Sequence, residues 1–272
     1  MAVIVEGTAA VAKLADLIPE RKATHTATIW TIDIERFPME AYVWSPKLRS
    51  GYIAEPMVKT PSRMVSFSAL RDDGLMVFSS EFHHGRDKML ETLYSIMSSC
   101  DIAVGFNSQS FDVPHIDMEL FEAGYAPYLP VKHIDLMRAA KRRFRFDYNG
   151  LGSIARRLGL TEKLETNVSL WRRCMDGDPA AWDEMKRYNN QDVRVTDALR
   201  KRMAPWIPNH PNIGLWAPDE ACCPVCAGTE LVRAGTVNKR TLAYPAYRCQ
   251  GCGALVESKH ITARAQMRPV VV

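Results

Sequence analysis

The sequence predicts an α/β fold, a mixed sheet flanked by helices, followed by a small module held together by cysteines. Three observations carry this reading. From Ala27 to about Trp206, apolar runs of strand length alternate with segments of helical spacing, the pattern of a sheet layered against helices. Pro205, Pro208, Pro211 and Pro218 then punctuate a stretch with little periodicity, as in a linker. After it come two Cys-x-x-Cys pairs, Cys223 with Cys226 and Cys249 with Cys252, in a segment too short to fold on an apolar core alone.

Taken in order, the elements divide the chain into five pieces. Residues 1–24 are an N-terminal helical extension, because residues 8–18 have helical apolar spacing that ends at Pro19. Residues 25–207 are the α/β domain. Its expected strands are 28–34, 41–44, 64–70, 75–79, 102–106 and 132–134, and its expected helices are 87–98, 113–123, 151–158 and 179–203. Residues 208–220 are the linker, 221–258 the cysteine module, and 259–272 a basic tail expected to be loosely ordered.

Composition narrows the function classes. With 47% hydrophobic and 24% charged residues, the 272-residue chain is ordinary globular material. Its longest apolar runs are far shorter than a membrane span, and Met1 to Gly7 lack the basic start and apolar core of a signal peptide. A cytoplasmic protein is therefore expected. Four of the seven cysteines form matched pairs in a chain without a secretory signal, which favours metal over disulfides. A formal charge of +4 permits a nucleic-acid partner without requiring one.

The chemistry starts at Asp33 and Glu35, in Ile29-Trp30-Thr31-Ile32-Asp33-Ile34-Glu35. In a strand, residues two apart point the same way, so both carboxylates share one face while Ile32 and Ile34 take the other. Carboxylates in a core strand are costly unless a cation meets them. A third stands in the helix over 179–203, whose start is marked by Asp178 as cap and Pro179 at the first turn. There Trp182, Met185, Tyr188, Asp192, Val195 and Leu199 recur at steps of three and four, which turns Asp192 inward. Asp112 follows the strand over 102–106, at the edge where open α/β sheets bind ligands. It reads equally as the N-cap of the next helix. Together these four residues bring about four negative charges, which two divalent cations about 4 Å apart would offset, an arrangement suited to in-line attack on a phosphodiester. Oxygen donors suit magnesium or manganese better than zinc.

Asp33-Ile34-Glu35, Asn107-x-x-x-Phe111-Asp112 and Tyr188-x-x-x-Asp192, in that order, resemble the three motifs of the DEDD (DnaQ-like) 3′-to-5′ exonuclease superfamily, tyrosine subtype. The resemblance spans roughly residues 27 to 203 and extends to the exonuclease domains of B-family DNA polymerases and to stand-alone phage exonucleases. It implies a ribonuclease H-like fold in which Asp33, Glu35, Asp112 and Asp192 bind two Mg2+ or Mn2+. Tyr188 would orient or help deprotonate the attacking water, and Asn107 and Phe111 would contact the terminal nucleotides. A phenol is a poor base at neutral pH, so most of the activation would fall to the metals. Many relatives carry a small hydroxyl residue after the first glutamate where this chain has Arg36. No polymerase-like segment accompanies the motifs, so proofreading would occur in trans.

The cysteine pairs, with 22 residues between them, match the spacing of a four-cysteine structural zinc site and resemble a zinc ribbon. Its hairpins are expected at 229–232 and 246–248. Cys222 competes with Cys223 as a ligand, but the two-residue spacing favours Cys223, and a redox disulfide is the alternative to zinc. For substrate, Lys141-Arg142-Arg143-Phe144-Arg145-Phe146-Asp147-Tyr148 interleaves cations with rings, as in a strand-binding groove, with Arg143 and Arg145 as candidate contacts. The plainer reading is a helix end with core aromatics and solvated arginines. His83, His84, His115 and His133 lack partners at ligand spacing and are expected to be surface or hydrogen-bonded residues.

These readings converge on a metal-dependent 3′-to-5′ exonuclease acting on DNA, single-stranded by preference, in replication, repair or proofreading. The zinc ribbon would guide nucleic acid or a replication protein. An exoribonuclease or a structure-specific endonuclease fits the same residues. A third reading, an inactive nuclease fold serving as a zinc-ribbon binding module, conflicts with four buried carboxylates that repel one another.

Overall fold

Strand β1 (Ile29–Phe37) is the axis of the domain. Its alternation is strict: Trp30, Ile32 and Ile34 pack in one core, while Ile29 and Phe37 enter cores on the opposite side, the side that Asp33 and Glu35 share. The structure is a computed structural model that describes residues 26–47, 51–160, 164, 166–217 and 221–266. The helix expected within residues 1–24 lies outside them, as do 218–220 and the last residues of the tail.

After β1 come two short strands, β2 (Glu40–Ala41) and β3 (Val58–Thr60), paired with each other. The strand expected over 41–44 is not formed, because Tyr42, Val43 and Trp44 are exposed and have no face to bury. β4 (Arg63–Arg71) and β5 (Met76–Ser80) complete an antiparallel meander with β1. Helices α1 (Glu81–His84) and α2 (Arg86–Ser99) lead to β6 (Ile102–Gly105), α3 (Asp112–Glu122) and β7 (Lys132–Asp135). β6 runs parallel to β1 and β7 parallel to β6, so the sheet reads β5-β4-β1-β6-β7. It is the predicted mixed sheet flanked by helices.

Four helices follow: α4 (Leu136–Arg143), α5 (Leu151–Arg157), α6 (Val168–Met175) and α7 (Pro179–Met203). α7 starts as its sequence dictates, with the Asp178 carboxylate accepting from the Ala180 N–H and Pro179 at the first turn. Its inward stripe lies across the β1 face that bears Asp33 and Glu35, and Trp182, Met185 and Tyr188 join Phe37 and Val65 in one core. α6 was not anticipated, and α4 only as the helix end in the plainer reading of the segment from Lys141. Each has only eight residues, and α4 is half cationic, so neither shows a sustained apolar period.

The C-terminal module is a second sheet. β8 (Leu231–Asn238), β10 (Leu255–Glu257) and β11 (Ala263–Arg264) all pair antiparallel with β9 (Leu242–Cys249). Its strands run well past the hairpins expected at 229–232 and 246–248. β11 belongs to the tail expected to be loose, and it is ordered because its backbone completes the sheet edge against Leu242 and Ala243. The Pro-rich segment before the module is docked: Ile213 is buried in the core around Leu199 and Met203, and its N–H donates to the Pro224 carbonyl at 2.8 Å. Among the described residues no helix is long and apolar enough to cross a membrane.

One buried charge ties the helical layer to the sheet. The Glu119 side chain on α3, 1% exposed, accepts the Met64 N–H at 2.6 Å and pairs with Arg86 of α2, whose guanidinium also donates to the Met64 carbonyl. Arg86→Ala leaves that carboxylate buried with only one N–H. The variant should lose roughly 2–3 kcal/mol, read as a lower denaturant midpoint, and Glu119→Gln in the same chain should recover part of it.

Candidate active and metal sites

Asp33 and Glu35 project from the α7-facing side of β1 and meet Asp192, which α7 turns inward; one carboxylate oxygen from each lies within 4.8 Å of the others. Asp192 is buried and the two strand residues are half-buried. Three like charges this close repel one another, and their donors are all oxygen. Such a set fits a hard divalent cation such as magnesium or manganese.

Two residues of α7 hold this group in place. The Asn189 amide donates from Nδ2 to Asp33 Oδ2 at 2.8 Å and to the Asp33 carbonyl at 3.3 Å. Sequence reasoning passed over Asn189, although it stands three residues before Asp192 and so on the same face of α7. Tyr188 is buried against Trp171, and its hydroxyl hydrogen-bonds Asp192. Burial, with the Asp192 and Glu35 charges behind it, drives the phenol far above its ordinary range. Its hydroxyl therefore stays protonated and serves as a donor. A hollow of about 380 Å³ opens beside it, lined by Leu170, Glu184 and Arg187 among others.

Asp112 stands outside the three-carboxylate group. It is the first residue of α3 but does not cap it; Oδ1 instead accepts the Ile34 N–H at 3.1 Å. β6 pairs with β1 only as far as Thr31, so this carboxylate takes the place of a strand at the β1 edge. Burial pushes its carboxyl up to about 7 against the pull of the Ile34 N–H, and the Asp135 charge adds to the rise.

The loop between β6 and α3 brings Asp112 there. Gly105 is required by contact: a Cβ on it would lie 2.4 Å from Ser108 Cβ and 2.7 Å from Ser108 Oγ. Asn107 adopts φ +64°, the left-handed region that asparagine tolerates. Asp135, at the end of β7, accepts the N–H groups of Asn107, Gln109 and Arg138 and so fixes the loop and caps α4 at once. It was not singled out in the sequence, because the cap is recognisable only once α4 is known to be a helix.

The expected substrate contacts are scattered. Phe111 is 42% exposed and set edge-on to His115, whose Nε2 accepts from Arg36 at 2.8 Å. Burial and the Arg36 guanidinium hold the His115 imidazole below its usual range, which keeps that nitrogen an acceptor. Phe144 and Phe146 pack against the core, as the plainer reading of their segment has it. Arg145 donates to the carbonyls of Lys141 and Phe144 at the end of α4, and Arg143 lies over the Trp206 ring, 5.3 Å from its centroid.

The four cysteines Cys223, Cys226, Cys249 and Cys252 bring their sulfurs within 4.8 Å of one another. Two of the separations are 3.7 Å (Cys223–Cys252) and 3.5 Å (Cys226–Cys249). A zinc about 2.3 Å from each sulfur separates them by about 3.8 Å, so the cluster fits the ion, whereas a disulfide needs about 2 Å. Gly228 faces the cluster, its absent Cβ only 3.3 Å from Cys226 Sγ and 3.4 Å from Cys249 Sγ. Cys222 lies outside the cluster. The module is thus a four-cysteine site compatible with a zinc ribbon.

A sequence model of the RNase_H superfamily matches residues 59–204, a stretch that contains Asp112, Tyr188 and Asp192 and begins after Asp33 and Glu35. Among solved structures, the chain is similar to the family B DNA polymerase from the hyperthermophilic archaeon Pyrobaculum calidifontis, at 16% identity and a TM-score of 0.51. The alignment covers 66% of this chain and 25% of the polymerase, so the chain spans about a quarter of that protein's length, and the likeness concerns the fold alone. No curated protein matches the sequence.

The Asp112 carboxyl provides a test that needs no turnover. Its pKa in the fold is raised, so between about pH 4 and 7 the folded state holds a proton that the unfolded state has released, and stability falls as pH rises through that window. Asp112→Asn keeps an acceptor for Ile34 without the charge. Without added divalent metal it should be more stable than the parent at pH 8, by about 1–4 kcal/mol in denaturant titrations, and should match it near pH 4.

Proposed function

The chain belongs to the RNase_H superfamily, and from that premise we propose that it is a metal-dependent 3′-to-5′ exonuclease of the tyrosine subtype, acting on single-stranded DNA. The observation that carries this reading is the meeting of Asp33, Glu35 and Asp192 oxygens within 4.8 Å, with the Tyr188 hydroxyl bonded to Asp192. The likeness to a DNA polymerase in fold favours DNA over RNA. In this reading residues 25–207 form the nuclease domain, 208–220 the linker, 221–258 a zinc ribbon and 259–272 a basic tail.

Each residue then has a task. Asp33, Glu35 and Asp192 hold magnesium or manganese, and Asp112, at the open edge of β1, completes the acidic set. Bound there, the ions supply charge neutralisation at the phosphodiester and activation of the attacking water. Tyr188 donates its one hydroxyl hydrogen to Asp192 and offers the oxygen lone pairs to the attacking water, which it orients. Asn189 keeps Asp33 aimed at the metals. The exposed Phe111 ring, next to Asp112 in the chain, offers a face for the terminal base. Zinc in the Cys₄ cluster is structural, because four thiolates leave no coordination position for water.

Incubation with 5′-labelled single-stranded DNA and with RNA tests this directly. Magnesium or manganese should give a ladder that shortens from the 3′ end of DNA, and Asp192→Ala should abolish it by about 10³-fold or more. Tyr188→Phe should retain measurable activity, about 10- to 100-fold reduced, since it removes an orienting hydroxyl and no ligand. Internal cuts would make the protein an endonuclease, a preference for RNA an exoribonuclease, and no cleavage with any metal a binding module.

The ribbon has its own check. The purified chain should hold about one equivalent of zinc, and Cys249→Ser should lose the metal and the protection of β8–β9 amides from exchange while the nuclease sheet persists.

A further inference from the structure

A groove of about 900 Å³ runs between the end of α4, the end of α7 and the cysteine module. On one wall stand Arg143, Phe144 and Trp206; on another, at the end of α7, Lys201 and Arg202; and across from them Arg248, Gly253 and Leu255 of the module. Four cations line it, and no acid does. Lys201 is bound to Asp197 at 2.8 Å, which leaves three guanidinium groups to set the character of the groove. The Trp206 ring is 52% exposed even though Phe144 leans on it and Arg143 covers it in part. Arg143 and Trp206 both lie within residues 25–207, before the linker, so their contact joins two parts of the domain and is not a contact with the module.

A second positive hollow lies along the same helix, toward the loop that carries Asp112. Arg138, Lys141 and Arg142 of α4 line this hollow of about 620 Å³, which begins at Gln109, beside Asn107 and Phe111. Its one acid, Asp135, is buried and already accepts three N–H groups. A half-exposed indole amid guanidinium groups suits a polyanion that also presents flat π faces. That polyanion is a single-stranded nucleic acid, because the bases of a duplex are already stacked on each other.

We propose that the groove between α4, α7 and the cysteine module binds a single strand upstream of the 3′ end held at the carboxylates, with Trp206 as the stacking platform and Arg143, Arg202 and Arg248 on the phosphates. Which end of the strand lies at the carboxylates rests on the exonuclease reading; the groove itself rests on its own lining.

Fluorescence anisotropy in an Asp192→Ala background, without added divalent metal, measures binding apart from cleavage. Labelled oligo(dT) and oligo(U) of about 5 and about 20 nucleotides serve as probes. Trp206→Ala should weaken the long strands by about ten-fold or more, so that their advantage over the short ones shrinks, and Trp206→Phe should keep most of it. Arg202→Ala with Arg248→Ala should lower the slope of log K against log salt by about 1.4, the contribution of two phosphates. If Trp206→Ala does not fold, the other two variants carry the test.

The proposal is overturned if variants with the parent's melting temperature and zinc content bind long strands with unchanged affinity and salt slope. It is also overturned if polyglutamate displaces the long strand as readily as oligo(dT), since the occupant would then be an acidic protein. A parent that shortens 3′ ends while these variants bind normally sinks the groove and leaves the nuclease reading intact. Variants that lose the long strand in a chain that cuts nothing do the reverse.

Discussion

The strand pairing between β1 and β6 stops after Thr31, and much of the candidate site follows from that short register. A fully paired β1 would have no open edge beside Ile34 and no place for the Asp112 carboxylate. Because β6 ends at Gly105, the chain turns back on itself over Ser108, Asn107 takes a left-handed backbone, and Asp135 collects the loop's N–H groups. The result is a strand whose face carries two carboxylates and whose edge is closed by a third. Its energetic cost is borne by Asp112, held in a place where its charged form is disfavoured.

The chain keeps its two candidate metal sites chemically apart. The carboxylate group has only oxygen donors and the cysteine cluster only sulfur, so the first suits hard divalent ions and the second is compatible with zinc. They also differ in access. Catalysis needs open coordination positions and half-buried ligands, whereas a structural site works best when its ligands fill the shell, as four thiolates do.

What was legible in the sequence followed from periodicity within one element. β1's alternation put Asp33 and Glu35 on one face, and the α7 stripe turned Asp192 and Tyr188 inward, from local spacing alone. The Cys-x-x-Cys pairs identified their cluster because each knuckle is a local turn. What stayed hidden depends on contacts far apart in the chain. Asp112 reads in sequence as a ligand at the sheet edge and equally as a helix cap, and its bond to the Ile34 N–H, 78 residues away, is visible only in the fold. Asn189 matters through a bond to Asp33 across 156 residues. α4 and α6 are too short to show a period, and β11 exists only because β9 offers it an edge.

The docked segment between nuclease domain and module has a consequence for how successive reactions would be linked. Ile213 sits in the core beside Leu199 and Met203, and its backbone reaches Pro224, one residue past the first cysteine of the pair. The module is therefore joined to the domain by core and backbone contacts, and in the proposed reading it acts as a second jaw on the strand. A strand that slips off the carboxylates while still gripped by such a jaw stays at millimolar effective concentration, where a flexible tether of similar length would let that concentration fall with every added residue. Rigid attachment would convert two modest affinities into runs of consecutive cuts on one molecule.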